Sequence, residues 1–322
     1  MYLSIIVPIY NEAENIPLLH QSISKILTSL EKEWEVIYVD DGSTDGSSDI
    51  LCRLVEGDPD HICVVLLRRN FGQTAAIAAG IDQAQGEIMV LMDADLQNDP
   101  ADIPLMLDYI NQGYDLVSGW RINRQDSFFP RRLPSLLANW LISRVTGVHL
   151  HDYGCTLKAY RREVITEFRL YGEMHRFIPV YAHMAGAKLI EVPVKHHPRK
   201  YGRTKYNLNR TLKVILDLIT VKFLLSYESK PIYLFGGAGI FLIALSIIIV
   251  TYLILSKLFL RTYLIQSPLL LLSAMFFILG AQSILMGLIA ELQVRTYHES
   301  QHKVTYTIRK VLSLSRENSK EG

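Results

Sequence analysis

Two stretches toward the C-terminal end of this 322-residue chain, Pro231 to Ser256 and Thr262 to Ala290, carry no charged residue at all. Each exceeds the roughly 20 apolar residues that a helix needs to cross a bilayer core. Both are apolar all round, which makes a pair of buried soluble helices a poor account of them. Only Lys257 to Arg261 separates them, so a transmembrane hairpin is expected, with both flanking ends on one side. The cations before Pro231 and after Glu291, including Arg295, Lys303, Arg309 and Lys310, outnumber Lys257 and Arg261. The positive-inside rule then puts both ends in the cytosol, at the inner or plasma membrane. Tyr233, Tyr252 and Tyr263 fall near the expected interfaces, and Gly236, Gly237 and Gly239 permit close helix packing.

Hydrophobicity is concentrated in this region, because mean hydropathy reaches +0.18 although 20% of the residues are charged. Lys+Arg 33 against Asp+Glu 32 leaves a net charge of +1, which argues against a nucleic-acid binder. Cys52, Cys63 and Cys155 are scattered and lack metal-ligand spacing, so they read as reduced core residues. Met1 leads straight into LSIIVPIY without a basic leader, and the first domain is expected to stay in the cytosol.

Ahead of the hairpin, short β-branched runs alternate with helical patterns. Strands are expected at Leu3 to Pro8, Glu35 to Val39, Ile62 to Leu67, the run ending at Asp93, Asp115 to Trp120 and Lys188 to Val194. Helices are expected from about Glu12 to Glu31 and from Thr74 to Ala84. This alternation predicts an α/β fold with a mostly parallel sheet and helices on both faces. No G-x-G-x-x-G follows the first strand, so a dinucleotide-binding domain would lack its phosphate loop. Acids gather where strands end, the edge at which open α/β sheets bind ligands: Asp40 and Asp41, then Asp93 and Asp95. Residues i and i+2 at a strand end point the same way. Two aligned carboxylates repel unless a cation lies between them, so Asp93 and Asp95 predict Mg²⁺ or Mn²⁺ carrying a diphosphate.

The segments Pro8-Ile9-Tyr10-Asn11-Glu12, Val39-Asp40-Asp41-Gly42-Ser43-Thr44-Asp45-Gly46, Arg69-Asn70-Phe71-Gly72 and Asp93-Ala94-Asp95-Leu96-Gln97 occur in that order. Together they resemble family 2 glycosyltransferases of the GT-A fold. The resemblance implies a nucleotide-sugar site that includes Pro8, Tyr10, Glu12, Asp40, Asp41, Gly72 and Asp93, with Asp40 at the base. It also implies that Asp93 and Asp95, with Gln97, hold the metal and diphosphate. The segment His151 to Tyr160 resembles the Asp-containing segment of polyprenyl-phosphate glycosyltransferases, which implies that Asp152 acts beside Asp93 and Asp95 in catalysis, near the sugar and acceptor. Arg199, Gly202, Thr204 and Lys205 resemble the Arg-x-x-Gly-x-Ser-Lys loop of the dolichol-phosphate mannose synthase group, with threonine keeping the serine's hydroxyl. Arg199, Arg203 and Lys205 of this loop, with Arg124 and Arg131 of the connector after Trp120, are expected to hold a lipid phosphate. A solvated loop is the plainer reading of the connector's arginines.

The expected organisation is a cytosolic GT-A domain over 1–206, an amphipathic juxtamembrane helix over 207–230, two transmembrane helices over 231–292 and a cytosolic tail over 293–322. Arg210, Lys213 and Lys222 punctuate the apolar run Leu208 to Leu225, as on a helix lying at anionic headgroups. That run and the apolar helix expected at Leu133 to Val145 are surfaces for homo-oligomerisation. A β-like piece, Val304 to Ile308, lies in the tail. The two-helix anchor looks most like undecaprenyl-phosphate glucosyltransferases. That implies inverting transfer of glucose from UDP-glucose to undecaprenyl phosphate, with N-acetylglucosamine, mannose and a modified arabinose as alternative sugars. A processive polysaccharide synthase would carry Gln-x-x-Arg-Trp and more membrane helices, and neither occurs. A non-catalytic scaffold would be expected to have lost some of these acids or cations.

Overall fold

The computed structural model describes residues 1–122, 139, 142–144, 146–166, 174–198, 232–260, 267–300 and 307–313. The chain divides into two compact units, Met1–Leu218 with Val304–Gly322, and Ile219–Lys303.

Among the described residues, the first unit is built on eight strands: β1 (Leu3–Ile9), β2 (Trp34–Asp40), β3 (Ile62–Leu67), β4 (Ile88–Leu91), β5 (Leu116–Trp120), β6 (Lys158–Arg161), β7 (Leu189–Pro193) and β8 (Ile308–Leu312). Their order across the sheet is β7-β5-β6-β4-β1-β2-β3-β8. Strands β4, β1, β2 and β3 run parallel, as do β5 and β7, while β6 and β8 run antiparallel to their neighbours. The alternation in the sequence thus reports a mostly parallel sheet correctly.

Four longer helices, α1 (Ile16–Thr28), α2 (Ser47–Gly57), α3 (Gln73–Gln83) and α4 (Ile103–Asn111), connect the strands and cover the faces. Parallel strands are buried on both faces and therefore read as continuous apolar runs. In β1, Leu3, Ile5 and Val7 enter one core with Leu19 and Ile23 of α1 and Met106 of α4. Ile6 enters the other with Ala76 and Ile77 of α3. The period-2 alternation of a strand is what feeds both layers.

Helix α1 starts at Ile16 rather than near Glu12. Asn11 adopts a left-handed φ of 54°, its N–H donates to Ser43 Oγ at 2.9 Å, and its carboxamide oxygen accepts from Thr44 N at 2.8 Å. These bonds hold the segment out of the helix. Strand β6 is absent from the sequence reading, because four residues bounded by Lys158 and Arg161 show no strand periodicity. The tail strand lies at Ile308–Leu312, later than the expected piece, whose residues 304–306 are outside the described residues. It pairs with β3, with a bulge at Leu66/Leu67, and covers an edge that would otherwise present unpaired backbone groups. The expected helix Leu208 to Leu225 lies outside the described residues, as does most of Leu133 to Val145.

The second unit holds the helices Ile232–Leu260 and Pro268–Ser300. Within them Leu234–Phe259, 26 residues, and Pro268–Ala290, 23 residues, are long and apolar enough to cross a membrane. At about 1.5 Å per residue both exceed a hydrocarbon core about 30 Å thick. Large side chains such as Phe241, Ile248, Leu258, Phe259 and Leu271 are exposed. The two helices meet through small residues: a Cβ on Gly239 would stand 2.6 Å from the Gly280 carbonyl oxygen. Ser246 Oγ donates to Ser273 O at 2.7 Å and Ser283 Oγ to Phe235 O at 2.8 Å, so these hydroxyls find partners inside the pair.

Helix α3 lies on the sheet at Gly80, where an added Cβ would collide with Ile6 Cγ2 and stand 3.2 Å from Val39 Cγ2. Gly80→Val is expected to destabilise the first unit by about 1–3 kcal/mol through overpacking. Urea denaturation of detergent-solubilised protein measures this, and an unchanged midpoint would show that α3 shifts without penalty.

Candidate active site

The carboxyl ends of β1, β2, β3 and β4 open onto one edge, and their loops are bonded to one another across it. Glu12 N donates to Ser47 Oγ at 3.1 Å and Ala13 N to Asp45 Oδ2 at 3.0 Å, which joins the β1 and β2 loops. Asp41 accepts from Phe71 N at 2.7 Å and Gly72 N at 2.9 Å, which joins β2 to β3. Gly42 makes this approach possible. It has a φ of 70°, and a Cβ there would stand 2.6 Å from the Arg69 carbonyl carbon.

These loops frame a cavity of about 370 Å³. Pro8, Tyr10, Glu12, Asp41, Gly72, Asp93, Asp95 and Gln97 all line it, so eight residues singled out in the sequence converge. Asp40 and Asp152 are not among the described residues of the lining. Asp40 accepts from Ser43 N at 3.0 Å and from Ser48 Oγ, and so holds its own turn. Asp152 receives the Arg121 fork at 2.7 and 2.9 Å and Gly154 N at 3.1 Å, while Arg121 itself reaches the cavity. Arg124, Arg131, Arg199, Arg203 and Lys205 lie outside the described residues.

Asp93 stands between two donors: Gln73 Nε2 reaches Oδ1 at 2.8 Å and Thr156 Oγ1 reaches Oδ2 at 2.6 Å. Burial and the neighbouring Asp95 charge push its pKa up to about 6, against the bonds and cations that lower it. A carboxylate made harder to ionise by a second carboxylate is a donor set suited to a cation. Among the described residues no cluster of three or more His, Cys, Asp or Glu side chains forms a metal cage. A divalent ion at this pair would therefore complete its shell with substrate oxygens and water.

Sequence reasoning missed Gln73, Thr156, Lys158 and His175, all of which line the cavity. Lys158 is buried, and burial lowers its pKa. Its Nζ donates to the carbonyl oxygens of Cys155 and, at 3.4 Å, Tyr153. His175 Nδ1 and Thr74 Oγ1 share a buried hydrogen bond of 2.7 Å, which ties the turn Met174–Arg176 to α3. Only the polar Gln73 and Thr156 beside recognised motifs offered any signal. Burial raises the Cys155 thiol to about 11, which removes it as a nucleophile at neutral pH.

Comparison with known proteins adds four findings. A family model described as glycosyl transferase family 2 matches residues 4–169. The chain is 42% identical over 312 residues to a dodecaprenyl-phosphate galacturonate synthase of Rhizobium johnstonii, covering 96% of this chain and 92% of the relative. It is 36% identical over 320 residues to an undecaprenyl-phosphate 4-deoxy-4-formamido-L-arabinose transferase of Photorhabdus laumondii, covering 99% and 96%. Among solved structures, a Mycobacterium tuberculosis glucosyl-3-phosphoglycerate synthase in complex with Mn²⁺, UDP and phosphoglyceric acid aligns with a TM-score of 0.53 at 19% identity, covering 69% of this chain and 78% of that one. That likeness establishes the GT-A fold.

The raised Asp93 pKa has a consequence for the metal-free protein. The ordinary value is 3.8 and the folded value about 6, so the stabilising contribution is fully present below pH 4 and is lost as pH rises through 6. Asp93→Asn is expected to raise metal-free stability at pH 7.5 by roughly 1–3 kcal/mol and to flatten stability between pH 4 and 7. Chelator-treated protein in a denaturant titration tests this, and destabilisation at pH 7.5 would contradict it.

Proposed function

Because this chain belongs to glycosyl transferase family 2, we propose that it transfers a sugar from a nucleoside diphosphate donor to a polyprenyl phosphate at a membrane surface. The observation that carries the proposal is the convergence of Pro8, Tyr10, Glu12, Asp41 and Gly72 with Asp93 and Asp95 in one cavity, in a chain with two membrane-length helices. The base and ribose are assigned to the first group and the diphosphate to the second. Asp93 and Asp95, with Gln97 beside them, would hold a divalent cation, Mg²⁺ or Mn²⁺, which would supply charge neutralisation for the leaving diphosphate.

The acceptor phosphate is the nucleophile. One of its oxygens forms the new bond to the anomeric carbon as the bond to the donor diphosphate breaks, with inversion and release of the nucleoside diphosphate. That oxygen is already anionic at neutral pH, so the chain supplies position and charge rather than a strong base. Arg124, Arg131, Arg199, Arg203 and Lys205 are assigned to the acceptor phosphate. Asp152 acts as a positioning residue: its bidentate bond orients the Arg121 guanidinium, which reaches the cavity.

For the donor, UDP-glucose is the expectation from the sequence. A second reading is UDP-galacturonate, favoured by the relative named for galacturonate and by the cations Lys158 and Arg176 in the cavity lining. The hairpin anchors the chain in the membrane with both ends in the cytosol. In support, the chain leaves one folded sheet before the hairpin and re-enters the same sheet as β8, and one folded unit lies on one side of a bilayer.

Purified protein with Mg²⁺ or Mn²⁺, undecaprenyl phosphate and a panel of labelled donors tests the reaction. The panel includes UDP-glucose, UDP-galacturonate, UDP-N-acetylglucosamine, GDP-mannose and a formamido-arabinose donor. Label is expected in the organic phase from one donor. Asp95→Asn or EDTA is expected to remove about 10²-fold or more of the turnover. Absence of lipid product from every donor would leave the scaffold reading. For sidedness, Lys257→Cys in a background lacking Cys52, Cys63 and Cys155 is expected to react with an impermeant maleimide added outside intact cells. Labelling only after lysis would reverse the assignment.

A further inference from the structure

Asp93 is held by two side chains that belong to none of the nucleotide-sugar motifs. Gln73 Nε2 occupies one lone-pair direction of Oδ1 at 2.8 Å, and Thr156 Oγ1 occupies one of Oδ2 at 2.6 Å. Two donors on opposite oxygens restrain the carboxylate plane and leave each oxygen with further acceptor capacity, and Asp93 lines the cavity. Gln73 opens α3, while Thr156 lies 63 residues away in sequence and arrives through the antiparallel pairing of β4 with β6. In that register Leu91 stands opposite Lys158, and stepping two residues along each line brings Asp93 opposite Thr156. The turn that presents Thr156 is secured by Lys158, whose buried ammonium donates to the carbonyl oxygens of Cys155 and Tyr153.

We infer that Thr156 is a positioning residue of the cation site, acting with Gln73 through Asp93 rather than on substrate. The inference rests on the reading of Asp93 and Asp95 as cation ligands. Outer-shell hydrogen bonds to a ligating carboxylate hold its orientation, and their loss weakens metal affinity by about 10- to 100-fold. The hydroxyl is the operative group. Serine can replace it, whereas valine keeps the shape and removes the donor.

The test is Mn²⁺ binding to the full-length chain in detergent with UDP present, followed by electron paramagnetic resonance of free Mn²⁺ and independent of any donor sugar or lipid acceptor. Thr156→Val is expected to weaken Mn²⁺ binding about tenfold or more, with saturating Mn²⁺ restoring most of the turnover, while Thr156→Ser stays within about twofold of the parent. Gln73→Leu, on the other oxygen, is expected to move affinity in the same direction, and it carries the test if Thr156→Val does not fold. Parent-like affinity in Thr156→Val, in Gln73→Leu when that variant carries the test, or equal losses in the Ser and Val variants, would overturn the inference. Failure of the parent protein itself to bind Mn²⁺ or Mg²⁺ would instead overturn the cation reading on which it rests.

Discussion

Two carboxylates share an enclosed edge of the sheet, and the loops around them are organised by the need to hold like charges together. In such surroundings burial, and then the neighbouring Asp95 charge, push the Asp93 pKa up to about 6. Left to itself the pair would separate or take up a proton. Gln73 and Thr156 hold Asp93 from two directions, and Gln97 N donates to Asp95 Oδ1 at 3.1 Å. The arrangement is unfavourable in isolation and favourable with a cation between the charges. The proposed cation site would rest on tolerating that local conflict.

Holding it requires the sheet edge to behave as one piece. Hydrogen bonds pass from the β1 loop to the β2 loop, from Asp41 to the loop after β3, and from Gln73 to Asp93 after β4. The contribution from β6 closes the series. Its antiparallel course delivers the turn before it, residues 152–156, to the same edge at which the parallel strands end. Helix α3 is seated against β1 with no room for a side chain at Gly80, so Gly72 and Gln73 at its start stand on a firm base. Displacement of any one loop would therefore be felt by the others.

The hairpin answers a different constraint. A bilayer offers no hydrogen bonds to backbone groups, so segments long and apolar enough to cross one, as these two are, must be helical there. Where they face each other, Gly239 and Gly280 allow contact close enough for backbone carbonyls to meet the opposite helix, and Ser246 and Ser283 donate across the seam. Beyond the hairpin, Ile308–Leu312 completes the edge of the sheet at β3.

The order of the strands other than β6 and β8, the mostly parallel sheet, the membrane-length helices and most of the cavity's acids were legible in the sequence, because they depend on local periodicity and on acids placed where strands end. Asp93 and Asp95 needed only their position after an apolar run to be noticed. Strand β6 was not legible: Lys158 to Arg161 shows no strand pattern, and its conformation comes from neighbours on both sides. Nor could the sequence say that Asp40 and Asp152 bond to nearby protein groups while Asp41 and Arg121 line the cavity, since turn geometry and a contact across 31 residues are settled by tertiary packing. By itself the sequence determined which residue types stand at which strand ends and which segments can enter a membrane, both set by short-range chemistry. The tertiary structure alone decided that Thr156 meets Asp93 and that β8 returns to β3, because register between strands distant in the chain is settled by packing.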